Sequence, residues 1–182
     1  MRLIILGAGG FGRTVADLAA QSGRYENISF LDDGSTAPDV IGKCVDFASF
    51  KDDATEMLPA LGNNELRLML GQRIEAAGIK LATVIHETAY VSPTAVVMPG
   101  SIILPKAVVN TSCVIKRSCL INIGAMIDHG TVIEEGCHIC VGAIVKAENR
   151  IPRLTKIEAG QVIENRQYPL KYRAIAIRQK TK

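Results

Sequence analysis

The stretch INIGAMIDHGTVIEEGCHICVGAIV, residues 121–145, repeats a pattern that is six residues long. Isoleucine or valine recurs at every sixth position, and this column continues in both directions without a change of register. An α-helix repeats every 3.6 residues and a strand every two, so neither sustains such a column by itself. A six-residue period is typical of a parallel β-helix, in which short strands stack coil on coil. The members of the column are Ile85, Val91, Val97, Ile103, Val109, Ile115, Ile121, Ile127, Ile133, Ile139, Val145, Ile151, Ile157 and Ile163.

Small residues accompany the column and support the same fold. The residue two positions before a column member is small, so its side chain fits under a tight corner. Glycine often precedes the small residue, where a turn requires a positive φ angle. Three hexads make one triangular coil of about eighteen residues, so the column predicts four to five coils. The small residues are Ala89, Ala95, Ser101, Ala107, Cys113, Cys119, Ala125, Thr131, Cys137 and Ala143, and the glycines are Gly100, Gly124, Gly130, Gly136 and Gly142. Asn149, Thr155 and Gln161 then take the small position, which predicts looser final coils or a cap.

The composition argues against several functional classes. A net charge of +3 over 182 residues is too small to indicate a nucleic-acid partner. No apolar run approaches the roughly twenty residues of a membrane span, and the N-terminal MRLIIL reaches glycine too early for a signal peptide. The number of cysteines is odd, and Cys113, Cys119 and Cys137 occupy the small position of the repeat. We interpret those three as buried packing residues of a cytoplasmic protein and expect no metal site.

The N-terminal part of the chain predicts a Rossmann-like α/β domain. Residues 2–6 form an apolar run typical of a buried parallel strand, and the turn GAGGFG at 7–12 leads into an amphipathic pattern that extends to about Gln21. Residues 28–31 predict a second strand, which completes a βαβ unit. Further expected elements are short strands near 39–45 and 56–61, a helix from Asn63 as N-cap to about Ala77, and a strand over 81–85.

The glycine turn is the first candidate binding site. Its glycines let a phosphate approach the backbone at a helix N-terminus, and Asp32 has the spacing that usually meets a ribose hydroxyl. Three alternatives stay open at this point: binding of some nucleotide, an NAD-dependent oxidoreductase, or a turn without a ligand. The N-terminal part is too short for two mononucleotide-binding halves, which argues against NAD.

The three histidines are the second set of candidates. His86 falls at the domain junction, where a packed linker residue is the favoured interpretation. His129 lies at a corner two residues after Ile127, and His138 immediately precedes Ile139. Neighbouring residues of a strand face opposite sides, so His138 points outward if Ile139 points inward. Spacing alone leaves open that both are ordinary solvated histidines.

Several motifs together resemble one family. They are GAGGFG at 7–12, FLDD at 30–33, GNNELR at 62–67, IHETA at 85–89, SPTA at 92–95, and NIGAMIDH at 122–129 with His138-Ile139 nine residues on. With these motifs the chain resembles the PglD/NeuD-type sugar acetyltransferases, members of the left-handed β-helix (hexapeptide-repeat) acyltransferases. The resemblance covers nearly the whole chain. It also supplies the left hand of the predicted helix.

The resemblance implies an acyltransferase that is a homotrimer with active sites between subunits. A domain over 1–82 would bind a UDP-linked amino sugar or another sugar acceptor, a β-helix over 83–167 would bind acetyl-CoA, and 168–182 would form a basic tail or cap. His129 matches the general base of the family, and Asn122 matches a residue of the same cleft. His138 matches a residue that contacts acetyl-CoA near the thioester. The other matched positions are Gly142, Ala147 and Ala159 for the coenzyme and Gly9, Gly10, Phe11, Asp32, Asp33 and Gly62 for the sugar nucleotide.

Two departures from the family pattern matter. In the family a carboxylate usually follows the catalytic histidine, whereas this chain has Gly130, and Asp128 is expected to point to another face. The motif Tyr168-Pro169-Leu170-Lys171 also resembles the C-terminal closure of the family, reached early as if coils were missing. Both features favour an alternative in which the chain binds a sugar nucleotide without catalysis.

Overall fold

The structure is a computed structural model and describes residues 1–170. The basic residues of the predicted tail lie outside the described residues: Lys171, Arg173, Arg178, Lys180 and Lys182. The described chain folds as a parallel α/β sheet followed by a parallel β-helix. Within residues 1–170 no helix is long and apolar enough to cross a membrane.

The N-terminal sheet has five parallel strands in the order β3-β2-β1-β4-β5. Its elements are β1 (Arg2–Leu6), α1 (Gly10–Gln21), β2 (Asn27–Leu31), β3 (Val40–Gly42), a 3-10 helix (Cys44–Phe50), β4 (Thr55–Pro59), α2 (Asn64–Ala76) and β5 (Lys80–Leu81). The chain adds β2 on one side of β1 and later β4 on the other, so the connections diverge between β1 and β4. Ligands of open α/β sheets bind at such a point, beyond the carboxyl ends of the strands.

The sequence predictions for this domain hold with small shifts at the boundaries. The side chain of Asn63 accepts a hydrogen bond from the Leu66 amide at 2.9 Å and caps α2, which ends before Gly78 at a φ of +69°. Pro59 is the last residue of β4, where its missing N–H costs no ladder bond. The 3-10 helix was not predicted.

The β-helix has three faces built from two-residue strands that pair in parallel at intervals of eighteen residues. Face 1 contains β6 (Val84–Ile85), β9 (Ile102–Ile103), β12 (Leu120–Ile121), β15 (His138–Ile139) and β18 (Lys156–Ile157). Face 2 contains β7 (Tyr90–Val91), β10 (Val108–Val109), β13 (Met126–Ile127), β16 (Ile144–Val145) and β19 (Val162–Ile163). Face 3 contains β8 (Val96–Val97), β11 (Val114–Ile115), β14 (Val132–Ile133) and β17 (Arg150–Ile151). The predicted Rossmann-like domain followed by a left-handed β-helix of four to five coils is confirmed.

The isoleucine and valine column fills the interior of this prism. From Ile103 to Ile163 its members are buried, whereas Ile85 is 41% exposed because it belongs to the first coil, which has no coil beneath it. The predicted strand over 81–85 is wrong. Leu81 ends β5 in the N-terminal sheet and Val84 begins β6 in the β-helix, so the chain changes sheets between them.

The residues at the small position of the repeat fit under the corners, and at two of the three corners their side chains also donate a hydrogen bond. The thiol of Cys119 donates to the carbonyl of Glu134 at 3.0 Å, fifteen residues later and one coil on. The same offset joins Ser101 to Lys116, Cys113 to Asp128, Thr131 to Lys146, Cys137 to Pro152 and Asn149 to Glu164. The three cysteines are therefore buried free thiols with a packing role, as predicted.

The N-terminal domain packs on face 1 and is joined to it by a buried arginine. Arg67 of α2 is fully buried, and its guanidinium donates to the carbonyls of Ser118, Gly136 and Leu61 at 2.8–2.9 Å. A carbonyl from each of two successive coils thus binds one side chain of the other domain. Apolar residues of α1 and β1 pack against Val84, Ile102 and Leu120 in the same interface.

Candidate active site

The glycine turn lies at the carboxyl end of β1, where the sheet topology places a ligand crevice. Two of its glycines are dictated by packing: a Cβ on Gly12 would lie 1.9 Å from the carbonyl oxygen of Gly7, and Gly7 has a φ of +109°. Gly9 and Gly10, by contrast, have open space where a side chain would project. No side chain caps the N-terminus of α1. The open glycines therefore leave the first amides of the helix accessible to an anion.

Asp32 and Asp33 follow β2 beside this turn, but they differ in how much of their carboxylates is free. The carboxylate of Asp32 accepts the amides of Ala8, Gly34 and Ser35 at 2.7–2.9 Å, and these bonds, that of Ala8 foremost, lower its pKa. Asp32 thus anchors the glycine turn to the loop after β2. Asp33 is more exposed and accepts the Cys44 amide with one oxygen, Oδ1, at 2.9 Å.

A cavity of about 320 Å³ opens beside these aspartates. Its wall is apolar, with Val45 from the 3-10 helix and Leu66 and Met69 from α2 all substantially exposed. Sequence reasoning missed this wall because the 3-10 helix has no apolar period to reveal it. Gly62, matched to the sugar-nucleotide site, is exposed in the loop after β4 at the same end of the sheet.

Asn122 and His138 meet where face 1 turns into face 2. Oδ1 of Asn122 accepts the amide of Ile123 at 2.8 Å, which fixes the orientation of the side-chain amide. Its Nδ2 is therefore the atom that lies 3.1 Å from Nε2 of His138. Because an amide NH₂ only donates, Nε2 accepts, and the proton of the neutral imidazole resides on Nδ1.

His138 is half-buried rather than on the open outer wall that the alternation of β15 predicts. Burial, followed by the positive charges of Arg67 and Lys156, lowers its pKa to about 4. The ring is therefore neutral at physiological pH. Its Nδ1 is buried and has no hydrogen-bond partner among residues 1–170. The outcome is a buried N–H donor without an acceptor.

His129 is exposed at the next corner, between faces 2 and 3. It lines a cavity of about 400 Å³ with Ala147, Glu148, Asn165 and Arg166. Asp128 does not line this cavity. Its Oδ1 accepts the His129 amide at 2.7 Å and Nδ2 of Asn110 at 3.1 Å, and its side chain lines a different cavity with Met126 and Lys146.

The structure groups the matched residues into three places. The glycine turn, Asp32, Asp33 and Gly62 surround the N-terminal crevice, and Phe11 packs against the cluster that contains Leu104 and Leu120 of the β-helix. Asn122 and His138 share one corner with Gly142, whose amide donates to the carbonyl of Ile123 at 2.9 Å, and with the exposed Ala159 one coil on. His129 and Ala147 lie at the other end of face 2. Within one chain, face 2 separates the two histidines.

The comparison with known proteins gives these places a common context. The model of the PglD N-terminal domain family matches residues 2–74. The acetyltransferase domain of PglB from Neisseria gonorrhoeae FA1090 is 34% identical over 90% of this chain and 82% of that chain, with a TM-score of 0.86. The same domain in complex with acetyl coenzyme A gives 36% identity over the same shares of both chains and a TM-score of 0.85. The chain belongs to the PglD-type sugar acetyltransferases.

A more distant structure shares the fold of this acetyltransferase family. A mutant perosamine N-acetyltransferase from Caulobacter crescentus, in complex with CoA and GDP-perosamine, is 24% identical over 91% of this chain and 89% of that chain, with a TM-score of 0.80. Family membership makes the chain an acyltransferase. It also argues against one of the alternatives left by the glycine turn, because the βαβ unit is that of an acetyltransferase and not of an NAD-dependent oxidoreductase.

Proposed function

We propose that the chain transfers the acetyl group of acetyl-CoA to an amine or hydroxyl of a nucleotide-linked sugar, with His129 as general base. The acceptor attacks the thioester carbonyl and forms a C–N or C–O bond, while His129 takes the acceptor proton. The C–S bond then breaks, and the proton passes to the CoA thiolate. An imidazole suits both steps because its ordinary pKa of about 6.5 lies near working pH.

The single observation that carries this proposal is the buried Nδ1–H of His138. A thioester carbonyl gains negative charge as the acceptor attacks it, and a prepositioned donor stabilises that charge. Asn122 holds the imidazole with its proton on Nδ1, and the low pKa keeps the ring neutral. His138 can therefore donate to the carbonyl oxygen without adding a proton to the site. Gly142 and Ala159 at the same corner carry little side-chain volume, which suits the passage of a pantetheine arm.

The N-terminal crevice is the proposed site of the sugar nucleotide, a UDP-linked amino sugar in the first instance. The open amides at Gly9, Gly10 and Phe11 suit a diphosphate. The exposed Asp33 and the loop at Gly62 lie at the same edge, next to an apolar wall on which a base or sugar ring can pack. Phe11 packs against the apolar cluster that the N-terminal domain shares with the β-helix, which suits a sugar that extends from this turn toward the corner of Asn122.

We further propose a homotrimer, because one chain does not bring His129 and His138 together. The outward residues of face 2 are all apolar: Tyr90, Val108, Met126, Ile144 and Val162. Three of them are more than 40% exposed. In such a trimer, face 2 of each of the three subunits packs around a threefold axis. The corner with His129 of one subunit then adjoins the corner with Asn122 and His138 of the next. Each active site then needs two subunits.

The proposal is tested by measuring thiol release from acetyl-CoA in the presence of a panel of UDP- and GDP-linked amino sugars. Wild type should release thiol with at least one of them, and His129→Ala should lower the rate by about 10²–10⁴. His86→Ala is the matched control, since among residues 1–170 the His86 ring bonds only to Thr88 of its own turn, at 2.9 Å. An unchanged rate in His129→Ala contradicts the assignment of the base. If sugar nucleotides raise the thermal stability of the protein but no thiol is released, the result supports the alternative suggested by Gly130, in which the chain binds a sugar nucleotide without catalysis.

A further inference from the structure

The corner that carries His129 also carries an ion pair from the two coils above it. The amide of Glu148 donates to the carbonyl of His129 at 3.1 Å, so Glu148 lies one coil above. Nε of Arg166, another coil on, donates to Oε2 of Glu148 at 2.6 Å, and a second guanidinium nitrogen contacts the same oxygen. Within the described residues 1–170, Oε1 of Glu148 has no side-chain partner. His129, Glu148 and Arg166 line one cavity.

Gly130 leaves room for the side chain of Glu148 beside His129. The two residues are eighteen apart and occupy the same turn position, with φ angles of +66° and +57°. A Cβ placed on Gly130 would lie 3.7 Å from Cγ of Glu148, so the glutamate side chain extends over the glycine. A residue other than glycine is tolerated at this φ, as Glu148 itself shows. Position 130 therefore has space for a carboxylate, and the neighbouring coil already supplies one.

The other carboxylates near His129 do not line its cavity. Asp128 binds the backbone amide of His129 and the amide of Asn110. Glu164 pairs with Lys146, whose Nζ lies 2.6 Å from its Oε2. Glu148 is thus the carboxylate that shares the cavity of His129, and among residues 1–170 its Oε1 has no side-chain partner.

We infer that Glu148 is the positioning residue for His129, accepting a hydrogen bond from the protonated ring nitrogen while Arg166 holds the carboxylate in place. This inference rests on the proposed function, in which His129 is the base. A histidine base works when one ring nitrogen is kept protonated and the other presents its lone pair to the acceptor. The same carboxylate stabilises the imidazolium that forms. The charged groups that share the cavity of the ring are Glu148 and Arg166. Asp128, Lys146 and Glu164 occupy the preceding position of three successive coils, and Asp128 and Lys146 line a different cavity on face 2.

The first test compares Glu148→Gln with wild type, using acetyl-CoA and the amino-sugar nucleotide that wild type acetylates fastest. We expect kcat to fall by about 10–100-fold, the cost known for carboxylates that orient metal-bound histidines, with KM changed less than about twofold. Glu148→Asp should recover part of the loss. Glu135→Gln is the matched control, because Glu135 forms the same kind of ion pair with Arg153 (3.6 Å, one coil on) at a different corner. It should keep the wild-type kcat.

The second test reads the ring itself and does not need substrate. In protein with ¹⁵N-labelled histidine, the ring nitrogens of His129 should report one protonated and one unprotonated nitrogen in wild type and in Glu135→Gln. Glu148→Gln should give averaged shifts, because no carboxylate then favours one tautomer. A merely structural role for Glu148 would lower the thermal midpoint and leave the tautomer unchanged.

A rescue variant makes the inference specific. Gly130→Glu should add little activity to wild type, since two carboxylates would compete for one corner, but it should restore kcat at least fivefold in the Glu148→Gln background. The inference is overturned if Glu148→Gln folds with unchanged kcat and unchanged ring shifts while His129→Ala is inactive. That result would leave the proposed function standing. An active His129→Ala would instead overturn the proposed function itself.

Discussion

The side-chain amide of Asn122 donates to Nε2 of His138 across 3.1 Å, and the Ile123 amide fixes which end of the side chain faces the ring. Replacing the donor by a carboxylate reverses this preference. In Asn122→Asp the negative charge favours the imidazolium, so the pKa of His138, now about 4, should rise by about 1–3 units. An NMR titration of the histidine ring measures it. Asn122→Ala is the control and should keep a low pKa, because burial is the main cause; equal titrations in the two variants would contradict this account.

The same pair shows how far sequence reasoning reaches. Hexad spacing was enough to place Ile139 inside and its neighbour His138 outside, and a resemblance put Asn122 in the same cleft. Spacing could not show that His138 is half-buried or that Arg67 of α2 lies close enough to act on its pKa. Those facts depend on how two domains dock, and docking leaves no periodic signal along a chain. Likewise, the hexad repeat predicts small residues at Cys113 and Thr131 but not the hydrogen bonds that they donate to the next coil.

Face 2 carries the prediction about assembly. Met126 is 42% exposed at the middle of the apolar column of face 2, and a charge there would be buried in the proposed trimer. Met126→Glu should therefore yield monomers, and acetyl transfer should fall with the loss of the shared site. Light scattering gives the mass. Val96→Glu places the same charge on face 3, at an outward residue of similar exposure, and should remain trimeric; a monomeric wild type would refute the assembly.

Arg67 should dominate the stability of the contact between the two domains. Arg67→Met removes its bonds to four backbone carbonyls and leaves those of Ser118 and Gly136 buried without this donor. We expect a loss of about 3 kcal/mol or more in the free energy of unfolding, measured by urea denaturation. Arg73→Met alters an exposed arginine of the same helix and should cost less than about 1 kcal/mol. Equal losses of unfolding free energy in the two variants would mean that the buried hydrogen bonds of Arg67 add no stability beyond that of an exposed arginine.

Glu56 should make stability depend on pH. Its carboxylate is buried in β4, and although burial opposes ionisation, the hydrogen bonds from Lys80 and Tyr25 and the charge of Arg24 prevail and lower its pKa. A lowered carboxylate pKa adds stability above the unfolded value, about 4.3, and this stability is lost as the pH falls through the folded pKa. Glu56→Gln should therefore be less stable than wild type by about 1–3 kcal/mol at pH 7, and the difference should shrink below about pH 4. Glu26→Gln, at an exposed carboxylate, should show no such convergence in urea titrations; a difference for Glu56→Gln that is constant with pH would exclude the linkage.

Asn149 closes the stack where the run of small residues ends. Its buried amide donates to the carbonyls of Lys146 and Glu164 at 2.8 Å, and its Oδ1 accepts the Tyr168 amide at the same distance. Asn149→Ala restores the small side chain that the repeat favours but leaves these backbone groups without partners, so we expect a loss of about 2–3 kcal/mol in the free energy of unfolding. If size alone governed the position, alanine would be neutral or stabilising. Cys137→Ala, which removes one weaker thiol donor from the same kind of position, should cost less, and urea denaturation of the two variants decides between the two readings.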